Sequence, residues 1–309
     1  LPCRNKGIFH YFISLIKTIK SKEIKIFHIH GNSSTITIDL LAAQISKCPI
    51  RIAHCHNSKS NHDIINKILQ PFFNKMYSKG FACSKDAAIH MFGKNWETNK
   101  RISILKNGIE CGKFIYNKSE RKRIRNELQI KDSEIVLGHI GVFNNQKNQK
   151  FLIDIIELLQ KSGKYNYKLV LVGNGPNKSK IEKLVVKKGL GKYIIFAGVR
   201  NDIPSVLCGF DIFLFPSIFE GLGIAVIEAQ SSGLSCILSD KVPCITKILD
   251  STQYITLDIN LWSEKILEYK INNNRENSSF KVQSLGWDIL DNCVILEKEY
   301  EKLIKQLSW

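Results

Sequence analysis

The chain has 309 residues, 44% of them apolar, and a formal net charge of +17; that is enough to build two core-bearing domains and excludes a disordered polyelectrolyte. Its apolar runs, the one inside Asp211–Pro216 among them, fall far short of the ~20 residues a membrane-spanning helix needs. Nine cysteines, an odd number without CxxC pairs, form neither a disulfide framework nor a zinc spacing, and a reducing cytoplasm is the expected compartment.

The chain opens on a helix-like stretch, GIFHYFISLIKTIKSK. EIKIFHIHG (Glu23–Gly31) reads as a strand, SSTITIDLLAAQISKC as a helix with a serine cap, and PIRIAHCH (Pro49–His56) as the next strand. A helix follows with Pro71 as a kink point, then a short strand at FACS and a helix closed by Gly93. ISILKNGI (Ile102–Ile109) reads as a strand ending in an Asn-Gly turn. The run from Tyr116 to Glu134 is a charged break. A second series then begins: strands at IVLGHIG, YKLVLVGNG, YIIFAG, DIFLFPS and LSCILSD alternate with helical stretches. A polar tract lies near Asn272–Ser279. Short strands alternating with helices predict parallel, doubly wound sheets, and two series either side of a charged break predict two Rossmann-like domains.

In open parallel sheets a ligand sits beyond the carboxyl ends of the strands. In the second series those positions are Gly141–Lys147, Gly173–Pro176, Gly198–Asp202, Pro216–Gly223 and Ser239–Pro243, rich in Gly, Asn, Lys and carboxylates. Gly141 and Asn174 are therefore candidate nucleotide contacts. The stretch FEGLGIAVIEA holds Glu220 in the loop after a strand and Glu228 in the helix that follows. Gly221 and Gly223 free the backbone to turn there, and the helix N-terminus favours a phosphate. Glu228 lies ~5 residues into the helix, about 7 Å along it. One carboxylate could hold sugar hydroxyls and the other a ribose diol, through charge-assisted hydrogen bonds worth ~1.5–3 kcal/mol; the plain alternative is a solvent-facing Glu228 on an amphipathic helix.

FEGLGIAVIEA resembles the E-x7-E signature of retaining GT-B glycosyltransferases of family 4. HIGVFNNQKNQKFLIDI, LVLVGNGPNKSKIEKLV and FAGVRNDIPSVLCGFDIFLFPS are similar to the donor-domain units of that family. FHIHGN, RIAHCHNS, FACSKDAAIHMFG and ILKNGIECGKF resemble acceptor-domain segments of capsular and exopolysaccharide members, and SLGWDI the segment that crosses back to the first domain. The resemblance implies that Glu220 contacts the donor sugar, that Gly221, Leu222 and Gly223 offer backbone amides, and that Glu228 binds the ribose. It implies further that Lys147 neutralises the diphosphate and that Val199 and Arg200 lie beside the base through their backbone. No metal cofactor is implied, since Lys147 and the helix tip supply the positive charge. The family's acceptor domain carries a functional histidine after a strand; His54 and His56 are the candidates, with His56 preferred because it precedes Asn57, while His28 and His30 read as structural.

Two departures stand out. Val142 occupies the place of an arginine in the family's HIGRF-like stretch. The first domain also begins late, at Leu1, short by about 60–80 residues if each βα unit is ~30 residues. The expected layout is an incomplete acceptor-side domain over 1–116, a donor domain over 117–285 and a returning C-terminal helix over 286–309. The expected reaction moves a sugar, with retention, from a nucleoside-diphosphate sugar to a saccharide or lipid-linked saccharide in surface polysaccharide synthesis. A non-catalytic nucleotide-sugar-binding remnant or partner subunit is the alternative. A dinucleotide-dependent oxidoreductase ranks last, because no GxGxxG follows any strand. The basic surface suits peripheral docking on an anionic membrane. Nucleic acid is not an expected partner, in the absence of a helix-turn-helix, an aromatic RNP stretch or a zinc finger.

Overall fold

A computed structural model describes residues 1–4, 7–57, 63–164, 166–269 and 274–307. Of the polar tract at Asn272–Ser279, residues 272 and 273 lie outside the described residues. The chain forms two compact units: residues 1–107 with 290–309, and residues 108–289.

The first unit runs α1 (Ile8–Ser21), β1 (Ile26–His30), α2 (Thr37–Ile45), β2 (Ile50–Cys55), α3 (Asp63–Met76), β3 (Lys79–Ala82), α4 (Lys85–Phe92) and β4 (Ile102–Ile104). Its four strands form a parallel sheet in the order β1-β2-β3-β4. The strand expected over Ile102–Ile109 is shorter, ending at Ile104, and α3 continues through Pro71. Side chains alternate across β2. Ala53 and Cys55 face a core with Leu40, Phe73 and Met91. Ile50 and Ile52, with Phe81 and Leu105, face Leu296, Tyr300 and Leu303 of the C-terminal helix, Ile289–Lys305. Lys79 Nζ lies 2.8 Å from Glu299 Oε2 and ties β3 to that helix.

The second unit runs α5 (Lys118–Glu127), β5 (Ile135–Ile140), α6 (Gln149–Ser162), β6 (Tyr167–Val172), α7 (Lys178–Lys187), β7 (Ile194–Gly198), α8 (Ile203–Gly209), β8 (Ile212–Phe215), α9 (Ile224–Ser231), β9 (Ser235–Ser239), β10 (Thr252–Ile255), α10 (Ile259–Leu267) and α11 (Ser278–Val282); the C-terminal helix is then α12. The six strands are parallel, in the order β10-β9-β8-β5-β6-β7. Both sheet faces are covered, so these strands read as unbroken apolar runs. Phe213 and Phe215 enter one core and Ile212 and Leu214 the other. Chain reversal between β5 and β8 places the β5 and β8 ends at the middle of the sheet, where strand order switches direction and a ligand crevice is expected.

The charged break of the sequence contains a helix, α5. Asn117 caps it, its Oδ1 accepting from the amides of Ser119 at 2.8 Å and Glu120 at 3.2 Å. Only Ile124 and Arg125 are buried on it, which explains why no apolar period revealed it. Arg125 is accommodated by Asp211 Oδ2 at 3.2 Å and by the carbonyls of Lys131 and Glu134. Before α12, the backbone of Ile109 brackets Trp287: Ile109 N–H donates to Trp287 O at 2.8 Å and Ile109 O accepts from Ile289 N at 2.9 Å.

Candidate functional site

At the carboxyl end of the six-stranded sheet, three successive loops are joined through their backbones. Gly141 N donates to Val172 O at 3.0 Å, Phe143 N to Asn174 O at 2.9 Å, and Gly173 N to Gly198 O at 2.7 Å. A Cβ at residue 173 would sit 2.2 Å from Gly141 O, so only glycine permits the approach. Asn174 is exposed, and its Oδ1 accepts from the amide of Gly175 at 2.8 Å.

The loop after β5 is also fastened to the loop after β8. Ile218 N donates to Gln146 O at 2.8 Å, and Gln146 Nε2 to Phe219 O at 3.0 Å. These bonds bring Lys147 to Glu220: Nζ and Oε1 are 2.6 Å apart, with side-chain exposures of 17% and 6%. Lys147 Nζ also stands 4.5 Å from the centre of the Phe215 ring, a cation–π placement. Lysine and glutamate thus hold one another in a largely dry setting.

Gly223 precedes α9 with a φ of +84° and turns the chain so that the helix starts at Ile224. Leu222 is buried in the core and anchors this turn; Gly221 is half-buried. Glu228 is the fifth residue of α9 and half-buried. Its carboxyl is pushed above the usual range by desolvation alone. Among the described residues it has no hydrogen-bond or ion-pair partner. A carboxylate held part-way out of water without a partner costs free energy in the free protein, which a donor group from a ligand would recover.

Val199 is exposed beyond β7. Arg200, beside it, is committed elsewhere: Nε donates to Asp202 Oδ1 at 2.8 Å and Nη2 to Asp202 Oδ2 at 2.8 Å, while Nη1 pairs with Glu127. This pairing holds the Asp202 carboxyl down at about 2. The guanidinium is therefore occupied.

Sequence reasoning missed the support under the β5 loop. His139 is fully buried, its Nδ1–H donating to Leu214 O at 2.9 Å. That fixes Nε2 as an acceptor for the Gln149 amide at 3.3 Å, and the same amide donates to Val142 O at 2.9 Å. Burial, with the Lys147 charge adding to it, lowers the His139 pKa to about 4 and keeps the ring neutral. Val142 itself is half exposed, so its side chain takes no part in fixing the loop.

In the first unit the histidines gather on one face. His28 and His30 on β1 and His54 on β2 point the same way as Ile50 and Ile52, with His30 directly opposite His54. His56 follows β2, and its ring centre is 4.2 Å from that of His54. His56 Nδ1 meets Asn107 Oδ1 at 2.8 Å, His56 Nε2 meets His30 Nδ1 at 2.7 Å, and His28 Nδ1 meets Tyr300 OH at 2.5 Å. Both ring nitrogens of buried His54 lack a partner among the described residues. Desolvation is the main cause that lowers His54 to about 2 and His28 to about 4, with neighbouring imidazoles adding to it. The signal for this cluster was present as two His-x-His pairs on adjacent strands.

Residues 120–276 match the family described as "Glycosyl transferases group 1". The chain belongs to the group 1 glycosyl transferases. It is 28% identical to EpsF of Bacillus subtilis (strain 168), which carries a glycosyltransferase name, over 88% of this chain and 73% of that protein. It is 26% identical to the UDP-Gal:alpha-D-GlcNAc-diphosphoundecaprenol alpha-1,3-galactosyltransferase of Escherichia coli, over 77% and 64%. It is 29% identical to the capsular polysaccharide biosynthesis glycosyltransferase CapH of Staphylococcus aureus, over 72% and 61%. The fold of this group 1 chain matches that of Anabaena HepE, solved with UDP, with a TM-score of 0.75 at 16% identity, covering 94% of this chain and 82% of that one. It also matches a Rickettsia africae glycosyltransferase with a TM-score of 0.80 at 15% identity, covering 99% and 84%. The fold is accordingly of the GT-B class, as the two parallel α/β units require. Among the described residues no helix is long and apolar enough to cross a membrane.

Proposed function

We propose that this group 1 glycosyl transferase moves a sugar, with retention of anomeric configuration, from a nucleoside-diphosphate sugar to a saccharide or lipid-linked saccharide in surface polysaccharide synthesis. The observation that carries the reading is the pairing of Lys147 with Glu220 at 2.6 Å, on the loops after β5 and β8, with the unpartnered Glu228 five residues into α9. Glu220 binds sugar hydroxyls and Glu228 the ribose diol. Lys147 and the α9 N-terminus balance charge on the departing diphosphate without a metal. The amides of Gly221, Leu222 and Gly223 line the sugar and phosphate, Gly141 and Asn174 the nucleotide, and the backbone of Val199 and Arg200 the base. His56, or His54 beside it, serves the acceptor. The names of the relatives support the polysaccharide setting, and solved neighbours with UDP and UDP-glucose support a uridine nucleotide as the first donor to try. A cytoplasmic location at the inner membrane face fits a lipid-linked acceptor, and the net charge of +17 supports attraction to anionic lipid.

A second reading, a nucleotide-sugar-binding subunit without turnover, draws on Val142, which leaves one cation fewer at the β5 loop than the family pattern. One experiment separates the two. The chain and its Val142→Arg variant are incubated with UDP-sugars and an undecaprenyl-diphosphate-linked acceptor, and product anomers are read by NMR. An α-linked product from an α-donor supports the retaining transferase. Nucleotide binding without product in either protein supports the second reading, and an inverted product refutes the retaining mechanism.

A further inference from the structure

We propose that His28, His30 and His54 form a binding site for an imidazole-preferring divalent cation of the zinc class, with a coordination position left open. The site lies wholly in the first unit and does not depend on the transferase reading. Ring nitrogens of the three residues lie within 4.8 Å of one another. Tetrahedral coordination at 2.0–2.1 Å needs them roughly 3.4 Å apart. His28 is stacked on His30 at 18° and on His54 at 17°, so binding requires the rings to turn toward a common point, and the exposure of His30 provides the entry path.

Two features distinguish this cluster from ordinary core histidines. Buried polar groups are almost always hydrogen-bonded, yet His54 is 5% exposed with both ring nitrogens unpartnered among the described residues, and His28 Nε2 is buried and likewise unpartnered among them. A cation would take up one nitrogen of each ring together. The outer contacts, moreover, bear on the tautomers of the rings. Asn107 Oδ1 accepts from His56 Nδ1–H, so His56 Nε2 is an acceptor and His30 Nδ1 must donate to it. That leaves His30 Nε2 with a free lone pair. Where Tyr300 OH accepts from His28 Nδ1–H, His28 Nε2 likewise keeps its lone pair. Three imidazoles and no carboxylate favour zinc, cobalt, nickel or copper over magnesium or calcium. Three protein ligands leave the fourth position to water or a ligand oxygen, the pattern of sites that do chemistry rather than only hold a fold.

The test is Co²⁺ titration of the metal-stripped full chain followed by visible absorption, with Zn²⁺ competition and equilibrium dialysis for stoichiometry. One site per chain, tetrahedral d–d bands and no thiolate charge-transfer band are expected. His30→Gln, at an exposed position that leaves folding intact, should weaken Zn²⁺ binding at least tenfold, and His54→Asn should do the same. His10→Gln, outside the cluster, should change nothing. A thiolate band would assign the metal to one of the exposed cysteines, Cys3, Cys244 or Cys293, and overturn the proposal. Binding unchanged in His30→Gln, or no binding at millimolar Zn²⁺, would overturn it equally.

Discussion

Replacing Glu228 by glutamine separates a ligand-binding carboxylate from a structural one, because the two roles predict opposite signs in the free protein. Glu228 is half-buried, has no partner among the described residues, and desolvation raises its pKa. Between the unfolded carboxylate value and the raised folded value, the folded state holds the extra proton, so stability falls as pH rises through that window. Above both values the full penalty is present. Glu228→Gln removes the charge, so the free variant should be as stable as the parent or more stable at pH 7, with the difference vanishing in acid. Its response to nucleotide should collapse. At 100 times the dissociation constant the parent gains about 2.7 kcal/mol, or roughly 5–11 °C for a unit of this size. Loss of a charge-assisted hydrogen bond worth ~1.5–3 kcal/mol weakens binding roughly 10–150-fold. The variant at the same concentration then gains only about 0.3–1.4 kcal/mol. The assay is thermal unfolding with UDP and GDP at pH 7, and without nucleotide across the acid range. A variant that is less stable when free and binds nucleotide like the parent would refute the reasoning.

Lys147→Met leaves the Glu220 side chain, 6% exposed, without its counter-charge; about 3–5 kcal/mol of stability should be lost by urea unfolding. Lys147→Met with Glu220→Gln should recover more than half of that while showing no transfer, and a double variant no more stable than the single would count against a mutually compensated pair. Gly173→Ala places a Cβ 2.2 Å from Gly141 O at a φ of +131°. About 2–5 kcal/mol should be lost from strain and overpacking together, and a change within 0.5 kcal/mol would show that the two loops can part. His139, neutral in the fold with a pKa lowered to about 4, releases a proton on folding between that value and the ordinary histidine value. Its contribution is present above pH ~6.5 and lost as pH falls toward 4. His139→Gln should flatten that part of the acid-unfolding curve, and a parallel curve would show that the ring is charged in the fold.

The strands were legible because a parallel sheet covered on both faces demands apolar runs, and runs such as IFLF at Ile212–Phe215 meet that demand without ambiguity. Helix α5 was not, because its single buried aliphatic, Ile124, creates no period, and Arg125 has its counter-charge at Asp211, 86 residues away. The candidate site divides the same way. Gly223, Glu220 and Glu228 lie within nine residues and show their spacing directly. The partner of Glu220 lies 73 residues off in sequence and follows only from the adjacency of β5 and β8. The histidine face is legible only through the register of β1 on β2, which sets His28 and His30 in one row with His54.

The β5 loop also shows how position 142, where the resemblance implies an arginine, can hold valine at no cost in hydrogen bonds. Every contact that shapes residues 141–147 is made by backbone or by other side chains. Val142 contributes only its carbonyl, to Gln149, while Phe143 offers its amide to Asn174, and Lys147 its amide to Asn144 Oδ1 at 2.9 Å. The side chain at 142 points to water and can change without moving Lys147. The consequence of valine there is therefore electrostatic rather than structural. A ligand phosphate near this loop would meet Lys147, itself paired with Glu220, so more of the counter-charge would come from the amides at the start of α9. Partial charges held by the backbone are not titrated and carry no counterion, so affinity resting on them is less sensitive to salt than affinity resting on a second exposed arginine.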